Sequence, residues 1–123
     1  ACALRKTRMK DDYHLPVITR LEREARRKGV KKAKLAMVLG LSERQYNHIS
    51  DGWEALSMSL LTPYTYNLFS SMGVDLFYVL TGVFGEGLCP DCRKAFVTRW
   101  LNDLSPDERF RMEFFASRMQ FDM

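Results

Sequence analysis

No stretch of this 123-residue chain holds the roughly 18 to 20 successive apolar residues of a bilayer-spanning helix. The N-terminal run ALRKTRMKDDYH also lacks the apolar core of a secretory signal. These absences exclude a membrane protein and set the expectation of a cytoplasmic one. Cysteine is scarce: Cys2, Cys89 and Cys92 make an odd count of three, which suits a reducing compartment better than a disulfide framework. Histidine is limited to His14 and His48. There is no HExxH, no nucleophile elbow and no phosphate-binding loop, and Gly82-x-x-Gly85-x-Gly87 lacks the strand and helix that would give such glycines meaning. The expectation is a non-enzyme that needs no cofactor.

Acidic residues are few at one end only. Residues 1–34 carry twelve Lys and Arg against four acids, while residues 35–123 carry seven against eleven, so a formal +8 faces a formal −4 within the overall +4. A basic N-terminal third on a mildly acidic body orients the molecule towards an anionic polymer.

What is present is helical spacing. Apolar residues recur at three and four, and β-branched residues never form an alternating run, which predicts an all-α chain. Val17, Ile18, Leu21 and Ala25 form a stripe that follows Pro16 and that Gly29 ends. A second helix runs from about Lys31 to Leu39, with Ala33, Leu35, Ala36 and Leu39 available to pack, and Gly40 ends it. Ser42 can cap a third helix, Glu43 to about Ser50, which puts Tyr46 and Ile49 on one side and Arg44, Gln45, Asn47 and His48 on others. Ala36, four residues before Gly40, leaves room for the third helix to approach closely, and Gly40 permits a positive φ at the sharp turn. That pattern is a helix-turn-helix.

The ordered set RLEREARRKGV, KKAKLAMVLGLS, QYNHISDGW and NLFSSMGVDLFYVLTG, from about Val17 to Gly82, resembles the lambda-repressor-like, Cro-like (xenobiotic-response-element) family of DNA-binding domains. The resemblance covers about half the chain. It implies a five-helix domain whose third helix enters the major groove with its N-terminal residues against base edges. Carried over by position, Glu43, Arg44 and His48 become base readers, with Asn47 as a further candidate. Arg44 suits guanine O6 and N7, and Glu43 suits cytosine N4. A first-turn carboxylate serving the helix dipole is the competing role for Glu43, and a solvated polar residue that for His48. The resemblance also places Lys32, flanked by Lys31 and Lys34, against a DNA phosphate. Arg5, Lys6, Arg8 and Lys10 resemble a basic arm, or else a solvated tail.

The stretch WEALSMSLLTP is longer than typical family members carry. It is expected to pack before a fourth helix that begins at Pro63, with Trp53 in the core or at an interface, or else near a DNA backbone. After Gly82 come two amphipathic segments: RKAFVTRWLNDL, and one that opens on the capping box Ser105-Pro106-Asp107-Glu108. Trp100, Phe110, Phe114, Phe115 and Met119, together with Met112, offer more apolar surface than a lone terminal helix leaves in water. The reading is a homodimer interface, or a surface for a regulatory protein or small ligand. Cys89-Pro90-Asp91-Cys92 supplies half of a tetrahedral zinc site. A second pair from a partner copy, or Cys2 with His14, could complete it, but two reduced thiols in a turn is the leading account.

The organisation read from the sequence is therefore a basic arm over 1–14, a helix-turn-helix domain over 15–82 and a helical extension over 83–123 for oligomerisation or partner binding. The function read is a sequence-specific transcriptional regulator that binds double-stranded DNA, a dimeric repressor of phage or bacterial type. The rival reading is an interaction module, such as an antitoxin or a phage adaptor, that works through its C-terminal apolar surface.

Overall fold

Prolines and capping side chains set where the helices begin. The computed structural model describes residues 12–121. Among these residues there are eight α-helices and no strand: α1 Val17–Arg27, α2 Lys32–Leu39, α3 Glu43–Ser50, α4 Pro63–Ser71, α5 Leu76–Thr81, α6 Pro90–Asn102, α7 Pro106–Arg111 and α8 Glu113–Phe121. Pro16 directly precedes α1, and Pro63, Pro90 and Pro106 are the first residues of α4, α6 and α7, where the missing N–H has no intrahelical partner to lose. In the last three cases the residue before the proline is the cap. Thr62 Oγ1 accepts from the Thr65 N–H at 3.2 Å, Cys89 Sγ from the Cys92 N–H at 3.3 Å and Ser105 Oγ from the Glu108 N–H at 3.2 Å.

The Cys-x-x-Cys segment is thus the first turn of a helix rather than a free turn. Cys89 is a free cysteine, and its sulfur lies 2.9 Å from that of Cys92. No group of three or more His, Cys, Asp and Glu side chains among the described residues is placed to hold a metal ion. No helix among them is long and apolar enough to cross a membrane.

One core runs through the described residues, from Leu21, Leu35 and Tyr46 through Phe69 and Leu80 to Val97, Met112 and Phe115. Its organising contact is α1 against α5, and it is held by charge as well as by apolar packing. Arg20 and Glu24, one helical turn apart, are both buried. The Arg20 guanidinium donates to Val79 O at 2.6 Å and Leu80 O at 3.1 Å. Gly82 N–H bonds Tyr78 O at 2.8 Å and Arg99 donates to Thr81 O at 3.2 Å, so all four carbonyls at the end of α5 have a donor. At the other end the Glu24 carboxylate accepts from the Asp75 N–H at 2.7 Å. A cation lies at the negative end of α5 and an anion at its positive end.

The C-terminal helices belong to this core. The apolar spread of Phe and Met around the segment reflects a helix enclosed by its own chain, because α8 is packed against α6, α4 and α7. Phe115 is 0% exposed and meets Tyr66 edge-to-face, with ring centroids 5.3 Å apart. Trp100 and Met119 are buried with it. These three residues, expected at a dimer or partner interface, are corrected to intramolecular core. Only Phe110, 75% exposed, and Phe114 remain at the surface. The segment expected as one helix breaks at Met112, which is fully buried and whose N–H bonds both Glu108 O and Arg109 O, at 2.9 and 3.2 Å.

Two further expectations change. In the long connection before α4, Leu56, Met58 and Leu61 are buried, but Trp53 is 75% exposed and lies outside the core. At the N-terminus, Asp12 and Tyr13 lie on the end of α5 rather than in an extended arm. The Asp12 N–H bonds Gly82 O at 2.8 Å, and the Tyr78 hydroxyl donates to the Asp12 carboxylate at 2.6 Å. Burial, with the carboxylate beside it, pushes the Tyr78 hydroxyl up to about 12. Gly82 has φ +84°, and a Cβ there would lie 2.7 Å from the Tyr13 backbone, so this approach requires glycine. Cys2, Arg5, Lys6, Arg8 and Lys10 lie outside the described residues.

Candidate nucleic-acid interface

Five of the eight helix starts among the described residues are closed by a side chain, whereas those of α1 and α2 are not. α3, α4 and α7 carry complete capping boxes, and α5 and α6 have side-chain caps. α2 starts at an extended Lys31 (φ −82°, ψ 154°) that makes no side-chain cap hydrogen bond, and its first turn contains no acid. Its free N–H groups and positive dipole end therefore face solvent beside Lys31, Lys32 and Lys34, all exposed. That is the chemistry of an anion site.

Glu22 on α1 links this end to α3. Its carboxylate accepts from the Tyr46 hydroxyl at 2.6 Å and the Ser50 hydroxyl at 2.8 Å, with Lys32 Nζ 3.8 Å away. Burial pushes the Tyr46 hydroxyl well above the ordinary tyrosine range, and the Glu22 hydrogen bond adds to it. The buried Tyr46 and Ile49 set how α3 is turned about its axis. Gly40, at φ 73°, ends α2, and the Leu41 N–H returns to Ala36 O at 2.9 Å, a Schellman closure that sharpens the turn into α3. Ser42 and Gln45 close the start of α3 reciprocally, at 2.9 and 3.1 Å. Gln45 is thereby occupied at the helix start.

The remaining polar residues of α3 point out. Glu43, Arg44, Asn47 and His48 are all exposed and share an open hollow with Asp51 and Trp53. The Trp53 ring lies nearly parallel to His48, centroids 6.3 Å apart at 13°. A second hollow, between α2 and α3, is lined by Lys32, Ala33, Met37, Glu43, Tyr46 and Asn47 among others. A third lies at the start of α2 and takes in Lys31, Ala33, Lys34 and Met37. Shared residues join the three: Glu43 and Asn47 the first to the second, Ala33 and Met37 the second to the third. All seven residues assigned to base or phosphate contact thus line three adjoining hollows, which together make a trough-like surface across α2 and α3.

The trough is electrically uneven. Lys31, Lys32 and Lys34 make one end positive, whereas Glu43 and Asp51 offset Arg44 at the other. Part of the N-terminal basic excess is spent inside the fold: Arg20 on the end of α5, Arg23 on Asp12 at 3.6 Å, and Arg27 on Glu24 at 2.9 Å. Asp51 and Met37 line the trough without having been read as site residues, and Trp53, for which a place near a DNA backbone is the lesser alternative, lines it too. Met37 had a visible signal, since the five successive apolar residues LAMVL in one helix cannot all face the same side.

The chain matches no family model, no curated protein and no solved structure.

Proposed function

We propose that the chain is a sequence-specific DNA-binding regulator of helix-turn-helix type, with α1 to α5 as the five-helix arrangement, α3 lying in the major groove and the start of α2 on a phosphate. The observation that carries this reading is the open, lysine-flanked start of α2 set in one trough with the polar face of α3. Phosphate contacts supply register and base edges supply discrimination, and the trough offers both within the span of two short helices. Arg44 reads guanine, Asn47 and His48 contact neighbouring bases or phosphates, and Glu43 accepts from cytosine or excludes a base that lacks a donor. Two copies reading two half-sites complete the reading, with symmetry in the site to match.

The test is selection of bound duplexes from a random pool, followed by affinity against salt for the selected site. Lys32→Ala is expected to weaken binding by a similar factor on selected and random duplexes, and to reduce the log–log salt slope by about one unit. An unchanged slope takes Lys32 off the phosphate. Arg44→Ala is expected to cost about 1–3 kcal/mol on the selected duplex and to relax preference at one position. A uniform loss on every sequence would refute its base-reading role. If no sequence is enriched, the regulator reading itself fails.

A further inference from the structure

One end of the trough has features that nucleic acid does not use. Met37, on the outer face of α2, is 62% exposed, and with Val30, Ala33 and Met72 it lines the open hollow at the start of α2. A phosphate gains nothing from thioether and methyl surface. A protein helix does, because such surface is removed from water when the helix docks, and methionine adapts its shape to varied partners. The charge at the hollow has one sign. Lys31 and Lys34 line it, no acid does, and neither lysine is ion-paired among the described residues. Their aliphatic stems can extend the apolar floor while the ammonium groups stay at its rim.

From this apolar floor and its lysine rim we infer a docking site for an amphipathic helical protein segment with acidic flanks. Its apolar stripe covers Met37, Ala33 and Met72, and its carboxylates pair with Lys31 and Lys34. α2, eight residues long, presents a face about 12 Å in length, which two to three turns of a partner helix cover. The segment takes the same cations that the DNA-binding reading assigns to phosphate. Where that reading holds, partner and DNA exclude one another, and an acidic protein releases the regulator from its site. The docking itself does not depend on it.

The probe is a displayed library of helical peptides of about three turns, with an apolar stripe and flanks randomised between Glu and Lys, selected on the full chain in the absence of DNA. The expected result is enrichment of Glu-flanked peptides, with at least about tenfold loss of affinity in Met37→Glu. Amide shifts on titration should centre on α2. Because Met37 is exposed, the substituted protein should keep its circular-dichroism spectrum and its melting temperature. Four results would overturn the inference: no enrichment, enrichment of Lys-flanked peptides, binding unaffected by Met37→Glu, or shifts centred on Phe110 and Phe114. Self-association of the full chain that Met37→Glu abolishes would overturn it too, by assigning the face to a second copy. Competition is scored separately: an enriched peptide should displace a selected duplex. A chain that binds peptide but no duplex keeps the docking site and loses the DNA-binding reading.

Discussion

Phe115→Ala should lower the free energy of unfolding by about 3–5 kcal/mol, the cost of removing a large aromatic side chain from a closed core. Phe115 is fully buried between α8 and α4, with its ring edge-to-face on Tyr66. Truncation loses both the transfer of the ring from water and a geometry-specific aromatic contact worth about 0.5–1.5 kcal/mol. Domains of this size are held by only about 5–15 kcal/mol in total, so the loss is a large share of the whole. The check is the midpoint of urea or thermal unfolding at two protein concentrations well apart. A core residue lowers the midpoint equally at both, whereas an interface residue makes the effect depend on concentration through mass action. Phe114→Ala provides the contrast, since that ring is partly in solvent. Its expected cost is about 1 kcal/mol or less. A Phe115→Ala protein as stable as the parent, but altered in its state of association, would return this residue to an interface.

Arg20→Met should cost a similar amount, about 3–5 kcal/mol, for a different reason. Methionine restores most of the volume but none of the donors, and it leaves the buried carbonyls of Val79 and Leu80 without partners. Glu24 keeps both its place at the start of α5 and its ion pair with Arg27, so the loss falls at the carbonyl end of the helix. The damage should be local before it is global. Hydrogen exchange should show amides of α5 losing protection more than those of α2 and α3. A variant within about 1 kcal/mol of the parent, with α5 exchange unchanged, would show that water serves these carbonyls as well as the guanidinium does.

Helix starts were the most legible part of the fold, because their causes are local. Pro63 and Ser105-Pro106 announce α4 and α7 within a few residues, and the caps formed where Thr62 and Ser105 stand. Cys89-Pro90 belongs to the same pattern, but its spacing to Cys92 also fits half of a zinc site, and that second meaning masks the cap. Tertiary destinations were less legible. Periodicity shows that Trp100, Phe115 and Met119 need cover, but it cannot say whether the cover is another copy or the same chain. Arg20 and Glu24 share a face of α1 with Leu21 and Ala25, yet charges spaced four apart on a helix also describe an ordinary solvated surface. Their role depends on α5, more than fifty residues further on. The trough residues of α3 were legible because the turn at Gly40 and the buried Tyr46 and Ile49 dictate which side of that helix is left over.

The grip of α1 on α5 also fixes a direction. Viewed by side chains alone, LFYVLT is apolar almost throughout and could lie against a greasy neighbour pointing either way. Its peptide groups are not so indifferent, since one end presents N–H and the other C=O. Arg20 and Glu24 read that asymmetry. Unlike two oppositely charged side chains facing each other, they cannot trade places, because the backbone they address has a sense that no substitution inverts. Reversed, the helix would set its carbonyls against a carboxylate and its amides against a guanidinium. Two residues of α1, one turn apart, thus act as a compass for a segment whose own side chains carry no bearing.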